Sequence, residues 1–536
     1  MRRAAEVLAA SAGIQVLFGQ TGTANEAEQS PVADNSSSAG SAIDGSSAAA
    51  RNFKLSSWTG DDFTLGHELR SRQLPQFPAK AEKTVDFVII GGGMSGLTTA
   101  YHLRNHNYLL LEQYKDFGGQ SRGSSFQGIG YSYGAAYVGE LEGELEKLVD
   151  DLGLKPVQLD AANNSWRWEN EWVNGISGEA KALYKEFNHL RQSATPVWDQ
   201  LKRSTWLMPL RDDALSRLDQ TSFASCLTAF DPKFIALLDA LCKSCTCAGV
   251  EKVSALAGYS TVSDLLEPIN VFPGGNQALA SALAQRTGKE PGRCLSGTFV
   301  WSVAVKEQGA SVVYGTSDGA IHRVDCRYVI VCTPPLVSAR LLSGIDDATK
   351  AQMLGFKYGS YLVANLLMKT QLFNGAYDNW VSAPFTFADI VKAEKPYQIN
   401  GEYKESMGSV LTVYQPYEPG SSGRPELLKG DREAFASSIV SQMQKLVGNL
   451  DPHLQEIVLT RWGHAMAVPN LGFFKKMTKL NATISGAYTL AHSSSQGIPC
   501  AESAVRAAKL AATKALNSKS KTLHFQFVGN PIASNN

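Results

Sequence analysis

Hydrophobic and polar positions divide this chain into stretches of different period. Residues 85–90 form an apolar run broken only by Asp86, too short for a helix and rich in branched side chains, which predicts a buried strand. A helical segment follows over about 95–105, and a second apolar strand, 108–111, ends on Glu112. Between 141 and 266 the period lengthens. Apolar residues recur at helical spacing in 141–152, 180–201 and 234–241, with no alternating strands. Alternation returns in 298–305, 311–315 and 322–331, and a helix is expected over 277–284. Farther on, 361–368 and 407–414 read as strands and 432–445 as a helix.

Gly91, Gly93 and Gly96 lie between the first strand and its helix in the spacing G-x-G-x-x-G. The first allows a tight turn, the second brings bare backbone to a diphosphate, and the third lets helix and strand pack closely. Met94 and Ser95 open the helix, where unsatisfied N–H groups and the helix dipole favour that diphosphate. Glu112, with Gln113 beside it, comes roughly twenty residues later, where a ribose hydroxyl partner is expected. A glycine triplet alone is a weak signal. Strand, turn, helix, strand and acid in this order predict a dinucleotide site.

Asp116-Phe117-Gly118-Gly119-Gln120-Ser121-Arg122 then sets a second glycine pair before a cation. This run resembles the extended fingerprint of the FAD-containing amine oxidase and desaturase superfamily, and the resemblance covers roughly residues 83–515. It implies FAD rather than NAD, and an α/β fold in which a Rossmann-like FAD-binding domain is interleaved with an α+β substrate domain. It further implies that Gly118, Gly119, Gln120, Ser121 and Arg122 continue along the flavin diphosphate. Tyr133, Gly134 and Ala135, within 131–137, would pass beside the flavin ring, although the tyrosines equally suit the cross-strand aromatics of a hairpin. Val300 would meet the adenine through its backbone, and Thr333 ends the strand that closes the nucleotide domain. Gly497, Ile498 and Pro499 precede a helix whose N-terminus would face the flavin, with Pro499 in its first turn.

Two positions depart from the family pattern. Many amine oxidases carry a lysine on the strand after a Gly-Ser pair, assisting reaction with oxygen. Here Gly359-Ser360 is followed by Tyr361, Leu362, Val363, Ala364 and Asn365, with Lys357 just upstream and no lysine until Lys369. Ala487 stands where the family usually has a carboxylate on the ribityl chain. The resemblance assigns no catalytic residue. Trp462 as a pocket aromatic and His464 as a substrate contact are the weak candidates, and for His464 a satisfied core histidine is the competing reading.

The domain scheme has nine parts. Residues 1–24 are an export signal and 25–51 a flexible linker; 52–82 form an arm across the flavin domain, in which His67 is a structural histidine or, less simply, a ligand. The FAD-binding domain takes 83–140, 267–340 and 466–517, the substrate domain 141–266 and 341–465, and 518–536 is a loose tail. The signal rests on Arg2-Arg3 before an apolar run, an incomplete twin-arginine match; it implies a periplasmic or secreted protein, and a disordered alanine-rich tail is the alternative.

Composition adds exclusions. The chain has 536 residues, enough for several domains, with 50 Lys plus Arg against 50 Asp plus Glu. With no long basic run, nucleic acid is not an expected partner. No apolar stretch is long enough to span a bilayer. Among 8 cysteines only Cys242, Cys245 and Cys247 cluster. A metal site lacks a fourth ligand, so no metal is expected; buried thiols or a disulfide remain. Trp166, Trp168 and Trp172, near Glu169 and Glu171, suit either a cage for a cationic amine or packing at a domain junction.

The expected function is FAD-dependent oxidation of a small C–N substrate, amine or amino-acid type, by hydride transfer to flavin. A separate, unidentified electron acceptor makes it a dehydrogenase rather than an oxidase. A desaturase of an apolar polyene or porphyrinogen-like substrate, and a non-catalytic flavoprotein, are the alternatives. The sequence fixes no oligomeric state.

Overall fold

The computed structural model describes residues 52–139, 141–160, 163–174, 181–203 and 213–518. The export signal, linker and C-terminal tail expected from the sequence lie outside these residues, apart from the last residue of the final helix.

Two sheets carry the fold. In the first, Tyr108–Leu111, Lys83–Ile90 and Ile321–Val331 lie parallel and adjacent, with Cys294–Leu295 on one flank and Tyr488–Leu490 joined parallel to Ile321–Val331. Ala310–Thr316 and Thr298–Val305 extend it antiparallel. Burial on both faces explains the near-continuous apolar runs. Phe87, Ile89, Leu110, Tyr328 and Ile330 pack on the helices Met94–His102, Gln277–Thr287 and Ala501–Ser518. Their neighbours Val88, Ile90, Leu109, Leu111 and Val329 face the other way, into the larger core.

The second sheet runs in the order Lys54–Leu55, Leu454–Ala467, Tyr358–Met368, Ser409–Tyr417, Asp389–Lys392, Asp378–Trp380, Asn164–Trp168, Glu171–Asn174, with Thr59–Gly60 also on Leu454–Ala467. Tyr358–Met368 is buried at every position, as a central strand between antiparallel neighbours should be. Leu362, Ala364 and Leu366 pack toward the helix Arg432–Val447, whereas Tyr361 and Val363 turn to the opposite side. That side holds the site.

Two expectations change here. Residues 141–266 are mainly helical, with Gly143–Asp151, Lys181–Arg203 and Pro232–Thr246 near the expected positions. They also contain the strands Val157–Leu159, Asn164–Trp168 and Glu171–Asn174. Val157–Leu159 and Asn164–Trp168 are recruited by Ile269–Val271 and Asp378–Trp380, so distant pairing and not local period makes them, and Glu171–Asn174 adds to the edge as a hairpin with Asn164–Trp168. The arm does not simply cross the nucleotide sheet: its strands join the edge of the second sheet through Leu454–Ala467.

Candidate active site

Lys83–Ile90 ends at Gly91, whose φ of +98° suits glycine. A Cβ on Gly96 would lie 1.8 Å from the Gly91 carbonyl oxygen, so helix Met94–His102 can sit this close to the turn only with glycine there. Gly93 caps that helix without a side-chain hydrogen bond, leaving its first N–H groups for a ligand. A second crossing closes the cradle: Gly118 N–H donates to Gly92 O at 2.8 Å, and Gly93 bridges Gly118. Glu112 Oε2 accepts Gly92 N–H at 2.6 Å and Oε1 accepts Tyr114 N–H at 2.8 Å. Burial pushes its carboxyl up and these two bonds pull it down. With about four lone-pair sites on a carboxylate, acceptor capacity remains for ribose hydroxyls.

This cradle opens into a cavity of about 970 Å³, at the upper end of the roughly 300–1,000 Å³ of ligand pockets. Gly91, Gly93, Met94, Ser95, Glu112 and Gln113 line it, as do Gly118, Gly119, Gln120 and Ser121. Gly134, Ala135, Val300, Thr333 and Pro499 join from other parts of the chain. A register shift just after Val300 interrupts its strand where it meets the cavity. Gly96, Arg122, Tyr133, Gly497 and Ile498 are not on the lining. Gly96 is the packing glycine; the Arg122 guanidinium donates to Gly119 O and Gly60 O. Tyr133 O accepts the Trp462 indole N–H at 2.8 Å. The hairpin reading of the tyrosine segment holds in part, since Tyr131 lies opposite Ser124 in the pair Gly123–Phe126 and Ile129–Ser132. Pro499 falls two residues before the helix Ala501–Ser518 rather than in its first turn.

Trp462 and His464 both line the cavity. Burial and then Arg424 hold the His464 ring down to about 3, which favours the neutral ring, a hydrogen-bond donor or acceptor and not a general acid. Ala487 is buried away from the cavity, its carbonyl accepting Val329 N–H at 2.9 Å. After its strand, Tyr488–Leu490, the cavity meets His492 and Ser493 instead.

The far chamber is built from residues that sequence reasoning missed. Ser244 and Cys245 end the helix Pro232–Thr246, and Tyr361, Asp389 and Tyr414 come from adjoining strands of the second sheet. The Tyr361 hydroxyl lies 2.8 Å from Ser244 Oγ, which donates to Asp389 Oδ1 at 2.9 Å. The Tyr414 hydroxyl donates to Gly134 O at 2.7 Å, and the Tyr361 and Tyr414 rings meet edge to face at 6.0 Å. Burial raises the Asp389 carboxyl, and burial plus the nearby Asp389 raises Asp378. The available signal was a carboxylate opening the short strand Asp389–Lys392, but nothing local says which face it takes.

The tryptophan cage is not assembled. Trp166 is fully buried against Phe187 and Trp380, Trp172 packs on Phe373, Glu169 pairs with Lys233, and none of the three tryptophans reaches the cavity. Packing at a sheet edge accounts for them. Cys242, Cys245 and Cys247 lie at a helix end and form no disulfide among the described residues, and among those residues no three His, Cys, Asp or Glu side chains are placed to hold a metal. No described helix is long and apolar enough to cross a membrane.

A glycine-turn cradle at the ends of parallel strands, continuous with a second chamber in the same cavity, defines a dinucleotide-binding plan. The family model for flavin containing amine oxidoreductases matches residues 94–516. The chain belongs to that family. Among curated relatives, "Probable flavin-containing monoamine oxidase A" of Dictyostelium discoideum is 24% identical over 282 residues, covering 48% of this chain and 59% of the relative. Amine oxidase [flavin-containing] A of Bos taurus is 21% identical over 291 residues, covering 50% and 53%. The chain thus spans little more than half the length of the curated relatives it matches. In fold it is similar to a putrescine oxidase solved with putrescine bound, at TM-score 0.64 and 18% identity over 82% of this chain and 100% of the other. Cyclohexylamine oxidase from Brevibacterium oxydans gives TM-score 0.62 and 15% identity, with the same coverage. FAD is the cofactor of this family, and the residues present fit it: a bare glycine cradle, a helix N-terminus and an acid with spare acceptor capacity.

Proposed function

We propose that the protein is an FAD-dependent enzyme that oxidises a carbon–nitrogen bond of a small amine, and that it is a dehydrogenase rather than an oxidase. The observation that carries the amine is Asp389, a buried carboxyl on the cavity wall beside two tyrosine rings. A desaturase pocket for an apolar polyene has no use for a buried acid, whose desolvation is costly unless a cation or hydrogen bonds offset it.

FAD, when bound, supplies the acceptor for the hydride and both electrons. Everything else falls to the chain. Glu112 and the glycine cradle fix the cofactor's nucleotide half. Asp389 attracts the ammonium form of the substrate, and its proton can leave as the cation arrives. Tyr361, tied to Ser244, and Tyr414, tied to Gly134, hold flat walls that orient the carbon to be oxidised, which is the main contribution required of protein in such a reaction. Trp462, anchored on Tyr133 O, adds a third fixed wall. The dehydrogenase reading is supported by Tyr358–Met368, which carries no lysine and presents Val363 to the cavity; the one lysine on the cavity lining among the described residues, Lys357, precedes that strand instead of standing on it after the Gly-Ser pair.

Anaerobic titration of the FAD-loaded chain with amines and with apolar polyenes, followed by absorbance, tests both parts. Bleaching by amines, with recovery faster on ferricyanide than on air, is expected. Bleaching by polyenes alone, or rapid recovery in air, would reverse the respective part.

A further inference from the structure

The mouth of the cavity carries charge that amine binding leaves unused. Arg70 comes from Thr64–Ser71, Arg340 from Pro335–Leu341 and Arg424 from Gly423–Lys429, and all three line the cavity that holds Asp389. His464 stands among them, with Arg424 Nη2 3.4 Å from its Nδ1, and His67 lines the same mouth. Among the described residues none of these arginines has a carboxylate within ion-pair distance.

The acids in the cavity are committed elsewhere. Asp61 accepts Gly463 N–H at 2.7 Å and the Tyr114 hydroxyl at 3.2 Å. Asp62 accepts Thr64 N–H at 3.0 Å, and Glu418 holds Lys252 and Gly249 N–H. Glu112 serves the cradle, and Asp389 is held by Ser244. Three guanidinium groups therefore share one cavity with no ion-paired carboxylate among the described residues, and only the committed Asp61 offsets part of the charge on Arg424. Their mutual repulsion lowers the proton affinity of Arg340 and Arg424, after burial, and favours the neutral ring of His464. Guanidinium forks match carboxylate geometry and recover in a charge-assisted pair what the cluster costs when alone.

We propose that Arg70, Arg340 and Arg424 hold a carboxylate of the substrate while its amine lies toward Asp389. The substrate class is then an amino acid or another amine bearing an acid group, and not a plain monoamine or a polyamine, whose extra cations the mouth would repel. This rests on the amine reading above.

The test compares 4-aminobutyrate with butylamine, of equal carbon count, in anaerobic bleaching of the FAD-loaded chain. Calorimetry with butyrate, which has no nitrogen, runs beside it. The amino acid should half-bleach at a concentration at least tenfold below that of the amine, and butyrate should bind. In Arg424→Gln and Arg70→Gln, both at exposed positions, the amino acid's advantage should shrink to under threefold and butyrate affinity fall about tenfold. Arg424→Lys should restore part of each, and FAD content should match the parent.

Equal response to the two substrates, or equal loss for both in the variants, overturns the proposal. Loss of FAD in the variants does too, by assigning the arginines to the cofactor. If bleaching is unaltered and only reoxidation by ferricyanide slows, the cluster serves an anionic acceptor and the substrate proposal falls. Should no amine of either kind bleach the flavin, the amine reading fails; butyrate binding that disappears in the variants would still uphold the anion site, and its absence in the parent would remove it.

Discussion

The Arg122 guanidinium donates to the Gly60 carbonyl oxygen at 3.1 Å, across sixty residues of chain. The same group donates through Nε to Gly119 O at 3.0 Å and lies over the rings of Tyr114 at 4.1 Å and Trp462 at 5.5 Å. The cation that ends the Gly-Gly-x-x-Arg run thus faces the N-terminal arm. It joins the second glycine crossing, the arm and the pocket tryptophan, so cofactor cradle and substrate wall share one fastening.

Arg122→Ala should cost about 2–3 kcal/mol, the scale of a lost pair of charged-donor hydrogen bonds with its ring contacts. Urea unfolding measures it, and hydrogen exchange should show residues 54–60 opening first. Arg122→Lys should recover less than half, because an ammonium cannot fork to both carbonyls. Unchanged stability in the alanine variant would show that the arm is held by its strands alone.

The two inner glycines of the fingerprint separate fold from cofactor. Alanine at 96 brings a Cβ to 1.8 Å from backbone, so Gly96→Ala should fail to fold or lose several degrees of Tm even without FAD. Alanine at 93 meets nothing nearer than 3.7 Å and keeps φ −73°, so the apoprotein should melt as the parent does. Its methyl would occupy the cradle, and flavin content after reconstitution should fall tenfold or more. Equal flavin content would mean that the diphosphate does not lie against Gly93.

His492 takes the position on the cavity wall that Ala487 does not. Its Nδ1 accepts Ser494 N–H at 3.2 Å, capping the short turn Ser493–Gln496, and burial holds its ring down to about 4, so it is a neutral donor or acceptor. His492→Ala should weaken FAD retention about tenfold, measured by flavin fluorescence released on dilution. His492→Asn, which can keep the cap, should melt as the parent does yet still bind FAD less well. Parental FAD affinity in both would leave His492 a cap and nothing more.

Much of the nucleotide half was legible because its determinants are local. Strand 108–111, the turn at Gly91 and the helix after it each follow from one short consecutive stretch of sequence. The substrate half was not, since its wall depends on sheet order: Asp389 and Tyr414 become neighbours only because Asp389–Lys392 pairs antiparallel with Ser409–Tyr417. For Trp166, Trp168 and Trp172 the choice between cage and packing stayed open for the same reason. Their spacing says they share a region, whereas the partner strand Asp378–Trp380 decides that Trp166 and Trp168 face core, and Trp172 packs on Phe373 from the next strand. The arginines of the mouth come from three helices far apart in sequence, and no periodicity links them.

Asp389 gives the sharpest dependence on pH. Its carboxyl, raised by burial to about 8 against the pull of the Ser244 hydrogen bond, is protonated in the free site well above the ordinary 3.8. A folded-state pKa above the unfolded value contributes stability that is complete below the unfolded pKa and is lost as pH rises through the folded one. The parent should therefore lose stability relative to Asp389→Asn as pH rises from about 4 toward 9, with a limiting slope of about 1.4 kcal/mol per pH unit for one proton. Amine affinity should move the other way. Binding an ammonium requires the ionised acid, so the parent should bind more tightly with rising pH and release a proton to buffer, until the amine itself loses its charge. In Asp389→Asn the affinity should be weaker and flat over that range. Calorimetry in two buffers of different ionisation enthalpy reads the proton directly, and equal heats in both would show that Asp389 does not meet the cation.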